Sequence, residues 1–322
     1  MKRWLSNIAL TMVLLLFLSL PCLAAQALVP GGQLVALELS NDTVTIAAFD
    51  DTCSGPARDA GLQVGDQLLA IGNQRITCAE DVRQAMKNCG TQVELKVLRG
   101  SREETLVLSP AQTEDGPRLG VYLRQGIAGI GTVTWYDPQT HRFGTLGHGV
   151  NDSSGVLMPM ARGRCMEAGV ASVKPGKAGE PGQLRGKAGA DTNLGTLEKN
   201  TPQGVFGVLR EDLPGDALEL APFEEIHTGP ATIRSTVGEN GVQEYSVEIL
   251  KIYPKDRTDC RNFLLRVTDP QLLNTTGGIV QGMSGSPIIQ DGKLIGAVTH
   301  VLVNDPTRGY GIFIENMLDA AS

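Results

Sequence analysis

The sequence predicts a mainly β protein of two folded units behind an apolar leader. Glycine supplies 39 of the 322 residues, about 12% against a usual ~7%, and it follows no collagen-like period. Short runs of alternating apolar and polar residues recur, separated by turn residues, as half-buried strands require. Hydrophobic residues make up 41% and charged residues 20%, so a chain of about two domains' length can bury a core. The net charge of -7 argues against a nucleic-acid partner. Six cysteines are too sparse for a disulfide scaffold.

The leader comes first. Met1-Lys2-Arg3 is basic, Ile8 to Leu20 is apolar, and Ala24-Ala25-Gln26-Ala27 supplies the small residues of a cleavage site. Residues 1–27 therefore read as a signal peptide, or as a membrane anchor through residues 4–20 if uncleaved. Export places the rest of the chain outside the cytoplasm. Loss of the leader removes Lys2 and Arg3 and no acid, leaving 26 bases against 35 acids. The other cysteines are Cys53, Cys78, Cys89, Cys165 and Cys260, without a CxxC pair, and the first three allow one local bridge.

Residues 31–110 read as a small α+β unit. Val35–Phe49 alternates and holds β-formers. Ala57–Ala60 is a helical turn stopped at Gly61, Val64-Gly65-Asp66 a tight turn, and Leu68, Leu69 and Ile71 a strand. Thr77 and Glu80 form a capping box for a helix carrying Val82, Ala85 and Met86 on one face. Val93, Leu95 and Val97 alternate as a closing strand. The run Ala60-Gly61-Leu62-Gln63-Val64-Gly65-Asp66-Gln67-Leu68-Leu69-Ala70-Ile71-Gly72-Asn73 resembles the core of a PDZ domain. That resemblance implies binding of an extended peptide or C-terminus by strand addition. The expected groove lies at Gly32, Gln33 and Leu34 with the helix face around Val82.

Residues 111–322 carry the chemistry. His148 sits in Gly147-His148-Gly149, where small neighbours leave an imidazole accessible. Ser284 sits in Gly282-Met283-Ser284-Gly285-Ser286-Pro287. A serine nucleophile needs an exposed hydroxyl and two backbone N–H groups aimed at the developing oxyanion, here those of Gly282 and Ser284. Ser286 is the competing nucleophile and His300 the competing base. Asp269, at the end of Leu264–Thr268, suits an acid that orients a histidine; Asp152, Asp191, Asp291 and Asp305 compete for that role. Histidine, acid and serine then run in the chymotrypsin order, and the glycine-rich strands fit a double β-barrel. Lys174–Gly195, rich in glycine and charge, reads as a long surface loop.

Four segments resemble the stage IV sporulation protein B peptidase family: Thr145–His148, Val267–Pro270, Gly277–Ile289 and Ile295–Thr307. The resemblance spans leader, PDZ domain and a chymotrypsin-like peptidase domain. It implies a triad of His148, Asp269 and Ser284. It also implies cleavage of a membrane-bound regulator, and of the protein itself, between the membranes around a forespore, releasing intramembrane processing of a sigma-factor precursor. Gly149-Val150-Asn151-Asp152 departs from the family, where a bulkier residue follows the histidine.

The expectation is an exported serine endopeptidase whose PDZ domain controls recognition of substrate or self. The alternative is a non-catalytic PDZ adaptor with a degenerate protease domain. No Walker-type loop, His-Glu-x-x-His or calcium loop occurs, so neither cofactor nor metal is expected.

Overall fold

The computed structural model describes residues 26–152 and 155–322, with the backbone alone for 188–192. All but the last two residues of the expected leader lie outside the described residues. Two strands open the described chain, β1 (Ala27–Pro30) and β2 (Leu34–Ser40). A small unit follows: β3 (Val44–Phe49), α1 (Gly55–Asp59), β4 (Gln67–Ile71), β5 (Gln74–Arg75), α2 (Ala79–Lys87), β6 (Val93–Arg99) and β7 (Arg102–Leu108). It ends in β8 (Ala111–Thr113), β9 (Gly116–Arg118) and β10 (Val121–Arg124). Its sheet runs β10-β3-β4-β6-β7. Val44, Ile46, Leu68, Leu95 and Val97 are fully buried beneath α2, with Val82 and Met86 packed on them. Burying each such side chain contributes about 1.5–3 kcal/mol.

The next strands are β11 (Ile127–Tyr136), β12 (Arg142–Thr145), β13 (Arg162–Lys174), β14 (Gln183–Thr201), β15 (Gly204–Leu209) and β16 (Leu218–Glu219). The order β12-β15-β14-β13-β2-β11, with β11 also paired to β12, closes six strands into a first barrel. The second barrel is β17 (Gly229–Thr236), β18 (Val242–Ile252), β19 (Phe263–Val267), β22 (Asp305–Phe313), β21 (Lys293–Leu302) and β20 (Pro287–Gln290), in that order around the ring. Helix α3 (Pro270–Thr276) leads from β19 towards the serine loop, and α4 (Ile314–Ala321) closes the chain. Phe263 and Phe313 meet edge-to-face at 4.6 Å in the second core, a geometry aromatic quadrupoles favour.

The boundary expected near residue 110 is corrected by strand pairing. β2 pairs with β11 from Leu34↔Thr132 to Leu39↔Ile127, and with β13 on its other side. Residues 34–40 therefore belong to the first barrel, and the small unit is inserted between two neighbouring barrel strands. Only Asn41–Thr43 lead into it from β2, and only Gln125 and Gly126 lead back to β11. The alternation in Val35–Phe49 runs across the entry point, which hides the break.

Three local expectations also change. The stretch 174–195 is mostly strand, forming the turn and returning arm of the β13–β14 hairpin. The helix cap moves by one residue: Asp81, not Glu80, accepts the N–H groups of Thr77 at 2.8 Å and Cys78 at 3.0 Å. Cys53, Cys78, Cys89, Cys165 and Cys260 are all free thiols.

Candidate active site

His148 follows β12 through a turn in which Leu146 and Gly147 both have positive φ, 70° and 68°. A Cβ on Gly147 would stand 2.9 Å from Thr299 Cγ2 and 3.0 Å from Ile312 Cγ2. Glycine is thus required for the turn to reach the second barrel. The His148 ring meets the cleft, and its Nδ1 lies 3.0 Å from the Gly149 carbonyl. A carbonyl only accepts, so Nδ1 carries the proton and Nε2 keeps a lone pair. Burial lowers the His148 pKa, and the Gly149 contact opposes that in part.

Ser284 stands on the other side of the cleft, in the loop between α3 and β20. Its Oγ donates to Thr299 O at 2.8 Å and makes no hydrogen bond to His148. The loop turns on Gly282 (φ 100°) and Gly285 (φ 95°). A Cβ on Gly285 would overlap Thr132 O and stand 2.5 Å from Leu146 N. The Met283 N–H donates to Val280 O, while the N–H groups of Gly282 and Ser284 meet no acceptor among the described residues. Two unpaired donors flanking a serine form the arrangement that stabilises an oxyanion.

His148, Ser284 and His300 line one cavity of about 440 Å³. Leu37, Leu39, Ile127 and Ile130 from the first barrel and Val280 and Val301 from the second make its walls apolar. His300, the competing base, therefore faces the cleft. Its Nδ1 is buried without a partner, and burial, then His148, then Arg261 push its pKa down to about 4.

The acids are placed elsewhere. Asp269 is the N-cap of α3: it accepts Leu272 N–H at 2.9 Å, and Ser246 N–H approaches at 3.4 Å. No hydrogen bond or ion pair joins it to His148 among the described residues. Asp291 pairs with His227 at 2.8 Å. Asp305 accepts from Thr307. Asp152 accepts Val156 N–H in its own turn. The side chain of Asp191 lies outside the described residues. Ser286 is fully buried and donates to Ser235 Oγ at 3.1 Å, which removes it from the cleft.

The expected peptide groove is corrected. Gly31 N–H and Gly32 N–H donate to Thr134 O and Val133 O, and a Cβ on Gly31 would overlap Val133 O. These glycines allow a close crossing onto β11, and Leu34 is paired there, away from the PDZ sheet. Val82 is 4% exposed and faces the PDZ core. The edge beside α2 is β10: Gln125, just after it, accepts Ala79 N–H at 3.0 Å and donates to Thr77 O at 3.0 Å. The signal missed in the sequence was Leu119-Gly120-Val121, a turn entering that strand with Gly120 at φ 74°.

The PDZ turn itself rests on one ion pair. Asp66, buried to 1% side-chain exposure, accepts Arg99 Nε at 2.8 Å and Nη2 at 2.7 Å, and Gln63 N–H at 2.9 Å. Desolvation raises the Asp66 pKa, but the Arg99 contacts and the Gln63 N–H together outweigh it and the net shift is downward.

The family model described as SpoIVB peptidase S55 matches residues 115–318, and a PDZ domain model matches residues 54–99. The chain belongs to the SpoIVB peptidase S55 family. It also carries a PDZ domain. A stretch of 59 residues is 36% identical to Serine protease HTRA1 of Xenopus tropicalis, covering 18% of this chain and 13% of that protein. A stretch of the same length is 41% identical to mitochondrial Serine protease HTRA2 of Bos taurus, with the same coverage. The chain thus spans 13% of the length of these curated relatives. Among solved structures, the active form of the Rv3671c protease from M. tuberculosis aligns at 16% identity and a TM-score of 0.34. That alignment covers 61% of this chain and 73% of the other.

Proposed function

We propose that this S55 peptidase uses Ser284 as nucleophile and His148 as general base to cut a membrane-associated regulatory protein, and itself, in sporulation signalling. The observation that carries the reading is the convergence of Ser284, His148 and two unpaired N–H groups on one cleft. The Ser284 hydroxyl leaves Thr299 O and passes its proton to His148 Nε2 as Oγ attacks the scissile carbonyl. The N–H groups of Gly282 and Ser284 hold the oxyanion. His148 returns the proton to the leaving amine, and water, activated by the same imidazole, releases the acyl group from Ser284. The apolar walls favour a substrate with an apolar side chain beside the scissile bond.

Asp269, the third member implied by the family resemblance, caps α3 in this structure, and the Gly149 carbonyl holds Nδ1 of His148 instead. The PDZ domain takes an extended peptide along the open edge of β10. Export of residues 28–322, with the leader cleaved or kept as an anchor, would bring the cleft to a membrane-bound substrate. Labelling with a serine-directed fluorophosphonate tests the site: wild type labels, and Ser284→Ala and His148→Ala do not. Labelling that survives in Ser284→Ala would reject the assignment.

A further inference from the structure

The long β13–β14 hairpin leaves the first barrel and lies on the second. Gly176 N–H donates to Thr276 O at 2.8 Å, and Gly179 N–H donates to Val303 O at 2.9 Å. Gln281 N–H donates to Gly182 O at 3.0 Å, and Leu184 N–H donates to Gln281 O at 2.8 Å. Gln183 and Gln281 form a parallel bridge. The hairpin is therefore bonded to the segment that delivers the serine.

The last of these bonds has a chemical consequence. The Gln281 carbonyl and the Gly282 N–H belong to one planar trans peptide, so they point in opposite directions. Leu184 pins the carbonyl, and the Gly282 N–H is thereby turned away from the hairpin with no acceptor of its own. The other oxyanion donor is held differently. The Met283 carbonyl, which shares a peptide with Ser284 N–H, accepts Ser286 N–H at 3.0 Å within the serine loop. One donor is fixed locally and the other by a strand about a hundred residues earlier in the sequence. Residue 282 is a glycine at φ 100°, and glycine tolerates a wide range of backbone angles. Once the Leu184 bond is lost, little steric resistance keeps this peptide from flipping.

We propose that the β13–β14 hairpin is a positioning element whose docking, through Leu184 N–H, sets the Gly282 half of the oxyanion hole. Undocking leaves the cleft and its histidine in place but lowers the rate of acyl transfer. This inference rests on Ser284 being the nucleophile.

Gly182 gives the means of a test. A Cβ there would overlap Gly176 N and stand 2.5 Å from Val280 Cγ1 and 2.7 Å from Lys174 O, so Gly182→Ala cannot dock unchanged. Lys177→Ala at the exposed hairpin tip is the control. The full chain is assayed with N-acetyl-leucine p-nitrophenyl ester and with N-acetyl-leucinal as the transition-state mimic. Gly182→Ala should lower kcat by about 10²–10³-fold with KM within about threefold, as loss of one oxyanion donor does. Aldehyde binding should weaken by a similar factor, and Lys177→Ala should match wild type.

If Gly182→Ala does not fold, replacing Leu184 with its α-hydroxy acid deletes only the N–H and keeps the side chain. A folded variant of either kind with wild-type kcat and aldehyde affinity overturns the proposal. A loss confined to KM overturns it too. Ser284→Ala in the same assay separates the two readings. Hydrolysis surviving there rejects the nucleophile itself, whereas its loss beside an unaffected Gly182→Ala rejects only the role of the hairpin.

Discussion

The imidazole of His148 lies 5.1 Å from that of His300, centroid to centroid, with the ring planes tilted by 37°. Burial makes a proton on either ring less favourable, and His148 adds to the effect at His300. Both are neutral at pH 7, the state a general base needs. The acid limb of kcat/KM is expected to have its midpoint below 6.5, the ordinary histidine value. A midpoint at or above 6.5 would contradict the buried-pair account.

The same pair affects stability. Between about pH 6.5 and the lowered folded values, near 4 for His300, the unfolded chain binds more protons than the folded one. The stability contribution of neutral His300 is complete above about pH 6.5 and is lost as pH falls towards 4. Thermal unfolding at pH 7.5 and 5 should show the drop, and His300→Gln should reduce it. An unchanged pH slope in that variant would place its origin elsewhere.

Asp269→Asn keeps an oxygen able to accept Leu272 N–H while removing the charge. With Asp269 acting as the cap of α3, this variant should keep kcat/KM within about threefold of wild type. Asp269→Ala should lose about 1 kcal/mol in denaturant unfolding, the ordinary cost of a missing N-cap. A fall in kcat of about 10⁴-fold in Asp269→Asn would instead return this residue to the triad.

Gly285→Ala should cost about 2–5 kcal/mol, because positive φ and overlap with Thr132 O act together. Gly292→Ala is the matched comparison: its φ is 76° but the space around it is open, so only the conformational term of about 1 kcal/mol remains. Equal losses in the two variants would show that the Thr132 contact is not limiting.

Asp66→Ala removes the acceptor of Gln63 N–H and two of Arg99's hydrogen bonds, leaving the guanidinium to Glu104 and the Gly61 carbonyl. A loss of about 1–3 kcal/mol in the PDZ unit is expected, the cost of leaving a buried hydrogen-bonding group without its partner. Fluorophosphonate labelling at Ser284 should persist at the wild-type rate, since Asp66 contacts only PDZ residues. Loss of labelling in folded protein would show coupling between the two units through their short linkers.

Much of this was legible in local chemistry. Glycines flanking His148 and Ser284 marked tight turns, and alternation marked β-barrels and the PDZ core. Asp269 reads as an orienting acid because it follows a strand, yet Asp-Pro at residues 269–270 is equally an N-cap followed by proline at the first helical position. Gly32 reads as part of a ligand-binding turn because the contact that requires glycine at its neighbour Gly31, with Val133, lies about a hundred residues away in the sequence. The hairpin that meets Gln281 reads as a loop because its glycine and charge hide a strand held largely by backbone bonds.

The insertion between β2 and β11 governs what a single peptide-bond cut can achieve. A nick at Asn41–Thr43 leaves the PDZ unit attached through Gln125–Gly126, and a nick at the second linker leaves it attached through the first. Deleting everything before residue 111 would remove β2 and open the first barrel. Release of a PDZ-free peptidase therefore requires two cuts, and β2 would then be held to the other five strands of that barrel by strand pairing and a shared core rather than by a covalent link.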